Sequence, residues 1–463
     1  LVQPLPSCPP SQLYCGSKKL LAVTLAAALA AGFAGCGGSG NSSGTTGNAA
    51  STASGSADAG ETIKVGSLAP LTGSVSVYGI STTNGIKMAV DEINANGGVM
   101  GRQIELLTED EKGEVQDAVN GYNKLISDGM IFLIGDVTSK PCDAVAKIAA
   151  GDGTPMLTPT GTAPSITQNG DNIFRTCFLD PFQGQIMAQF AAEKLGAKKV
   201  AVMANSSDDY SDGIAKAFVA KAQELGLEVV GDERYGADDT DFKTQLTKIN
   251  AAGPDVIMFP DYYEKVALIT NQARQIGFTG PMLGGDGWDG VLTSLGENAS
   301  VVDNCYFSCH YFIGDTNEQV ASFVNGYRSL YNEDPTAFSA LGYDSVYIMK
   351  AAIEKAGTTD KAAVVEALRA TDYTGVTGHM TFDENGDPIK SVAVLRLENG
   401  ETVLDTMMTA DGAEDSTPAA SESASSEAAA SSEAASSEAA ASSEAAASSE
   451  AAASSEAASS AAA

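Results

Sequence analysis

Two histidines, His310 and His379, supply all the imidazole in this chain, and neither sits beside a nucleophile motif. No H-E-x-x-H pair or G-x4-G-K-[ST] loop occurs, and the one G-x-S-x-G match, Gly40 to Gly44, lies in a Gly/Ser/Thr-rich stretch with no strand before it to form an elbow. Acyl transfer, zinc proteolysis and Walker-type phosphate binding therefore lack the residues they need. A literal G-x-G-x-x-G does occur at Gly285, Gly287 and Gly290. It closes a strand–helix series instead of opening one, Trp288 would crowd a pyrophosphate, and Asp286 and Asp289 would repel it. Cys305, Cys309 and His310 spell C-x3-C-H, but the segment CYFSCHYF is aromatic and strand-like, with no second ligand cluster nearby. An extended stretch of that length also holds the two sulfurs too far apart to bridge. No metal, no cofactor and no enzymatic activity are expected.

The remaining polar residues suit recognition. A zwitterionic amino acid needs donors for its carboxylate, an acceptor for its ammonium and a wall for its side chain. The hydroxyl-rich stretch Leu157 to Pro164 (LTPTGTAP) follows a strand, and Thr138-Ser139 follows another. Hydroxyls and free backbone N–H groups there would hold a carboxylate. Asp286, at a third strand end, would hold an ammonium through a charge-assisted bond. Tyr78, Tyr210 and Tyr262 would wall the apolar part. Each residue also has an ordinary duty: hydroxyls cap helices, loop tyrosines pack, and an aspartate among glycines makes turns.

Alternating strand and helix signals must position these groups. Ile63 to Pro70 reads as a strand, Ile86, Ala89, Val90 and Ile93 recur at helical spacing, and Gly97-Gly98 stops that helix. A strand near Ile104 to Leu107, a helix from Val115 to Leu125, a strand at Ile131 to Ile134 and a short one at Met156-Leu157 follow. The rhythm restarts after Pro181, with helices near Gln183 to Leu195, Asp209 to Leu225, Phe242 to Asn250 and Glu264 to Ile276. Strands near Val200 to Ala204, Val229, Val256 to Phe259 and Met282-Leu283 separate them. Two such series predict an α/β protein of two doubly wound parallel-sheet lobes, each covered by helices. Ligands bind beyond the carboxyl ends of such strands, so facing lobes would enclose a cleft.

The ends of the 463-residue chain differ from its middle. Lys18 and Lys19 precede the apolar run Leu20 to Ala31, too short for a permanent membrane span. Gly32-Phe33-Ala34-Gly35-Cys36 then resembles a bacterial lipoprotein signal, which implies cleavage before Cys36, its lipidation and export. Residues 1–36 are thus expected to be upstream sequence plus signal, and 37–60 a flexible Gly/Ser/Thr linker. Residues 412–463 repeat Ser, Glu and Ala without large apolar side chains, so they cannot bury a core. The net charge is −32, and nine acidic residues lie from Glu414 onward. That surface would repel phosphate backbones, which argues against nucleic-acid binding. The pairing of Cys142, Cys177, Cys305 and Cys309 is open.

Seven segments in order resemble the type I periplasmic-binding family, nearest its leucine/isoleucine/valine-binding branch. They are Ile63 to Gly79, Gly85 to Gly101, Leu157 to Thr167, Asp209 to Ala215, Asp241-Phe242, Leu283 to Asp289 and Gly378 to Gly386. The resemblance spans about residues 62–408. It implies that Ser139 and Thr162, with backbone N–H groups near Gly161, bind the ligand carboxylate. The Thr160 carbonyl would meet the ammonium and Asp286 would neutralise it. Tyr78 would line the side-chain pocket, and Tyr210 and Tyr262 would close over it. Asp286 stands where close relatives often carry Glu, and Lys140, Pro141 and Trp288 alter the surroundings. The family's topology implies a hinge crossed three times, near Thr176–Pro181, Tyr306–Tyr311 and Gly378–Phe382. One lobe would then take residues 61–178 and 310–378, the other 179–309 and 379–411. The expected protein is a monomeric solute-binding component of an ABC importer, tethered through Cys36 beside its membrane permease. A ligand-sensing receptor domain, or binding of an amide, polar amino acid or aromatic acid, is the alternative.

Overall fold

The computed structural model describes residues 61–409; the signal with Cys36, the linker and the Ser/Glu/Ala tail lie outside them. The chain opens with β1 (Ile63–Ala69), α1 (Ser76–Ala95), β2 (Ile104–Asp110), α2 (Val115–Ser127), β3 (Phe132–Gly135), α3 (Ser139–Asp152), β4 (Met156–Thr158) and β5 (Ile173–Arg175). These strands form one all-parallel sheet in the order β2-β1-β3-β4-β5. Every residue of β3 is buried, as its unbroken apolar run requires of a strand covered on both faces. Ile63 and Val65 face Ile86 and Ile93 of α1, whereas Leu68 and Leu133 face Tyr122 and Leu125 of α2 and Val145 of α3.

The second series comprises α4 (Asp180–Glu193), β6 (Lys199–Asn205), α5 (Asp209–Glu224), β7 (Glu228–Tyr235), α6 (Lys243–Ala252), β8 (Val256–Met258), α7 (Tyr263–Gln275), β9 (Met282–Gly284), α8 (Val291–Leu295) and β10 (Cys305–Cys309). Val200 and Val202 of β6 pack toward Ile186, Ile214 and Phe218, while Ala201 and Met203 pack toward Leu246 and Ile269. Alternate side chains of one strand thus enter two different helix layers, the expected outcome of a two-residue period. Local signals fix the ends: the Asp208 carboxylate accepts from the Ser211 N–H at 3.2 Å to cap α5, and Gly253 in the left-handed region ends α6.

After β10 come α9 (Glu318–Tyr331), α10 (Ala337–Ala356), α11 (Lys361–Arg369), β11 (Asp372–Gly375), β12 (Gly378–Phe382), β13 (Pro388–Ile389), β14 (Val392–Glu398) and β15 (Glu401–Met408). Helix α10 returns to the first sheet and lies against α1 so closely that a Cβ on Gly85 would sit 2.0 Å from the Ser339 carbonyl oxygen. Strands β14 and β15 join the second sheet antiparallel, in the order β15-β14-β10-β9-β8-β6-β7. The chain therefore passes from one layered sheet to the other three times: after β5, after β10 and after β13.

The last passage falls later than the sequence reading places it. Strand β12 belongs to a small antiparallel sheet, β11-β12-β13, whose Met380 is buried with the first sheet's core and whose Phe382 ring lies 5.3 Å from Phe174. The residues after Gly378 thus continue the first lobe as far as β13, and Lys390-Ser391 make the passage. The four described cysteines are buried and free. Among the described residues no helix is long and apolar enough to cross a membrane, and no group of three or more His, Cys, Asp or Glu is placed to hold a metal ion.

Candidate functional site

Between the two sheets a narrow space is lined by Tyr78, Val137, Thr138, Ser139, Thr160, Thr162, Tyr210, Tyr262, Asp286, Gly287 and Phe338. Strand carboxyl ends and helix amino ends converge there. Thr138 and Ser139 follow β3 and open α3, Thr160 and Thr162 follow β4, and Asp286 follows β9. Tyr78, Tyr210, Tyr262 and Phe338 lie in or just before the first turns of α1, α5, α7 and α10.

The first-lobe wall is a set of hydroxyls on a braced loop. Ser139 Oγ stands 3.4 Å from Thr162 Oγ1 and accepts from the Ala163 N–H at 3.3 Å. The Thr160 hydroxyl donates to the Val137 carbonyl at 2.7 Å, tying this loop to the residues after β3. Beneath it, the buried Arg175 guanidinium donates to the carbonyls of Gly161 at 2.7 Å and Ala163 at 3.0 Å, and pairs with Asp387 at 2.6 Å. Because C=O and N–H point oppositely across a trans peptide, turning the Gly161 carbonyl to Arg175 turns the Thr162 N–H away from it. With the amino end of α3 alongside, this wall suits an anion.

The second-lobe wall presents a carboxylate. Asp286 is buried, and its Oδ1 accepts from Gln183 Nε2 and from the Tyr210 hydroxyl, each at 3.0 Å. Its Oδ2 lies 3.0 Å from His310 Nε2. Gln183 also accepts from the Asp286 N–H at 2.8 Å and from the Ser308 hydroxyl at 2.9 Å, so the loop is held by backbone and side chain alike. Burial depresses the His310 pKa, so the imidazole is neutral at pH 7 and serves Asp286 as a single N–H donor. The ring stacks on Phe178 at 3.7 Å. No cation offsets Asp286 among these partners, so a cationic group entering the cleft would meet an uncompensated carboxylate.

Aromatic rings close the sides. Tyr210 stacks on Tyr262 with centroids 4.9 Å apart and planes 9° from parallel, and Tyr78 stacks on Phe338 at 4.2 Å. The Tyr78 hydroxyl crosses to the other lobe, donating to the Gly287 carbonyl at 2.5 Å and accepting from the Tyr263 N–H at 3.0 Å.

Seven of the eight residues singled out in the sequence, Tyr78, Ser139, Thr160, Thr162, Tyr210, Tyr262 and Asp286, line this one cleft. Gly161 does not. Its N–H is committed to Thr158 Oγ1 at 2.9 Å and its carbonyl to Arg175, and an added Cβ would stand 2.8–2.9 Å from Thr158, Cys142 and Ile166. It shapes the loop from below. Trp288 also faces elsewhere, donating to the Phe259 carbonyl at 2.8 Å. Sequence reasoning missed Phe338, Gln183 and His310. Thr336 immediately before an apolar helical pattern is a readable helix start that points to Phe338, whereas Gln183 and His310 reach Asp286 only through the fold.

A family profile described as periplasmic binding protein matches residues 62–402. The chain is 33% identical over 332 residues to a leucine-, isoleucine-, valine-, threonine- and alanine-binding protein of Pseudomonas aeruginosa, covering 71% of this chain and 88% of that one. The crystal structure of a leucine-binding protein from Thermotoga maritima superposes with a TM-score of 0.71 at 36% identity, covering 75% of this chain and 99% of that one. A branched-chain amino acid transporter substrate-binding protein from Streptococcus pneumoniae, in complex with isoleucine, gives 0.70 at 34% identity with the same coverage.

Proposed function

The chain belongs to the periplasmic binding protein family, and from that premise we propose that it is the extracytoplasmic solute-binding protein of an ABC importer, taking a branched-chain or related amino acid between its lobes. The observation that carries this reading is the opposition, across one small cleft, of a hydroxyl-lined anion wall and a buried carboxylate with no cationic partner. Ser139 and Thr162 receive the ligand carboxylate, Asp286 receives the ammonium, and Tyr78, Tyr210, Tyr262 and Phe338 flank the side chain. Capture involves no bond making or breaking. Ligand contacts to both lobes favour the closed arrangement, and the permease distinguishes closed from open by surface shape. Membership of the periplasmic binding protein family supports export, whereas a tether at lipidated Cys36 rests on the signal-like segment alone.

A thermal-shift screen of the purified protein against the common amino acids tests the reading. A ligand that binds only the folded state stabilises it by RT ln(1 + [L]/Kd), about 2.7 kcal/mol at a hundredfold excess over Kd. Leucine, isoleucine or valine should raise the melting temperature. A rise with another solute alone would keep capture and change the ligand, and no rise with any amino acid would end the proposal.

A further inference from the structure

The GDGWDG segment, which cannot serve a dinucleotide, has contacts that the ligand roles leave unexplained. Asp286 faces the ligand space, but the next residues are gripped from the opposite lobe. The Gly287 carbonyl accepts the Tyr78 hydroxyl of α1 at 2.5 Å. Three residues after Asp286, Asp289 Oδ2 accepts the Ala337 N–H at 2.7 Å. Ala337 is the first residue of α10, a twenty-residue helix whose own N-cap, Thr336, makes no side-chain capping bond. The cap is supplied instead from the other lobe, 48 positions away in sequence. An orphan N–H at a helix start is a strong site for a carboxylate.

We propose that the Gly285–Gly290 loop is the clasp of lobe closure, with Asp289 as a positioning residue that caps α10 across the cleft and the Tyr78–Gly287 bond as its second point. The inference rests on the reading of the cleft as a closing solute site, and it gives one loop two tasks. Asp286 senses the ligand while Asp289, on the same short segment, holds the lobes together. Because Asp286 and Asp289 share one segment held by backbone and side chain, a ligand that bridges the first lobe to Asp286 also holds α10 against Asp289. Gly287 seats the loop on its own lobe: a Cβ there would stand 2.7 Å from the Tyr210 hydroxyl oxygen and 2.9 Å from the Asp261 carbonyl oxygen. The apolar cluster around the clasp is also continuous across the lobes, joining Tyr78 and Val137 of the first to Trp288 and Val291 of the second.

The test compares full-length wild type, D289A, D289N and Y78F in leucine binding, leucine dissociation rate and small-angle X-ray scattering with and without leucine. Losing a helix cap corresponds to roughly a fivefold change in an equilibrium constant. D289A should therefore weaken leucine binding about fivefold, mainly through faster dissociation. D289N retains an acceptor oxygen for the Ala337 N–H and should restore most of the loss, which a merely disruptive substitution would not do. Y78F keeps the ring but removes both hydroxyl bonds, and should also dissociate faster. Wild-type binding and dissociation in D289A, or D289N as impaired as D289A, would overturn the clasp. If wild type binds no amino acid, the ligand reading fails and scattering alone decides the clasp. The unliganded D289A protein should then have a larger radius of gyration than wild type, and equal radii would overturn it.

Discussion

Asp286 is the residue on which ligand affinity should depend most. It is buried, and its three side-chain partners are neutral donors: the Gln183 amide, the Tyr210 hydroxyl and the His310 imidazole. They orient the carboxylate without neutralising it, which leaves its charge open to a cationic group entering the cleft. Asp286→Ala should weaken amino-acid binding by about 2–5 kcal/mol, as when one member of a buried charge pair is lost, measured by isothermal titration calorimetry. Unchanged affinity would remove Asp286 from the site. The groups lining the cleft were legible in the sequence because each follows an apolar strand, and strand ends face the cleft in this architecture. The supports behind them were not. Gln183 lies 103 positions before Asp286, and no pattern in either segment announces the contact. His310 stood out only as part of a cysteine–histidine cluster, although its bond is to an aspartate. Gly161 shows the opposite error: a glycine amid hydroxyls suggests an open N–H, but Thr158 occupies it.

At the scale of elements, strands buried on both faces were easy to read and their helices followed. The predicted helix Asp209 to Leu225 and strand Val200 to Ala204 differ from the observed Asp209–Glu224 and Lys199–Asn205 only at their ends. Helix α3 was harder, because Pro141 in its first turn obscures the start and Ser139 reads equally well as a loop donor. Strands β11 to β13 are short and only three of their residues are buried, so alternation carries little signal, and the third passage was consequently set too early. The contact of α1 with α10 depends on two residues without side chains. A Cβ on Gly85 would lie 2.0 Å from the Ser339 carbonyl oxygen, and one on Gly342 would lie 2.5 Å from that of Thr82. Backbone cannot yield as a flexible side chain can, so Gly85→Ala should destabilise the fold by about 3 kcal/mol, the upper part of the overpacking range. Urea denaturation would measure it, and a wild-type midpoint would show that the helices slide apart freely.

At the scale of the molecule, burial leaves several carboxyls holding protons more tightly than usual. It raises Glu111 and Asp261 to about 7 and Asp289 to about 6, and Asp136 and Asp180 also well above the ordinary value. Asp289 keeps partial exposure as a residue while its carboxyl is enclosed by protein. Between the ordinary carboxylate range and these raised values, the folded state binds more protons than the unfolded chain. Stability therefore falls as pH rises through that window. The net charge of −32 adds self-repulsion in the same direction. The melting temperature should drop steadily from about pH 5 to about pH 8, and a flat profile in differential scanning calorimetry would contradict this. The triple passage between the lobes has a further consequence, in the order of events during folding. The Tyr343 hydroxyl of α10 bonds Glu92 of α1, 251 positions earlier, and β14 completes a sheet begun before either α9 or α10 exists. Closing such long loops is entropically costly and slows folding. As the chain emerges from the ribosome, the side of α1 around Thr82 and Gly85 has no cover until α10 arrives, and the second sheet keeps an open edge at β10 until β14 arrives. Both lobes draw on late segments, the first up to β13 and the second up to β15, so the nascent chain stays loosely folded until nearly all of it has been made. That delay suits an exported polypeptide.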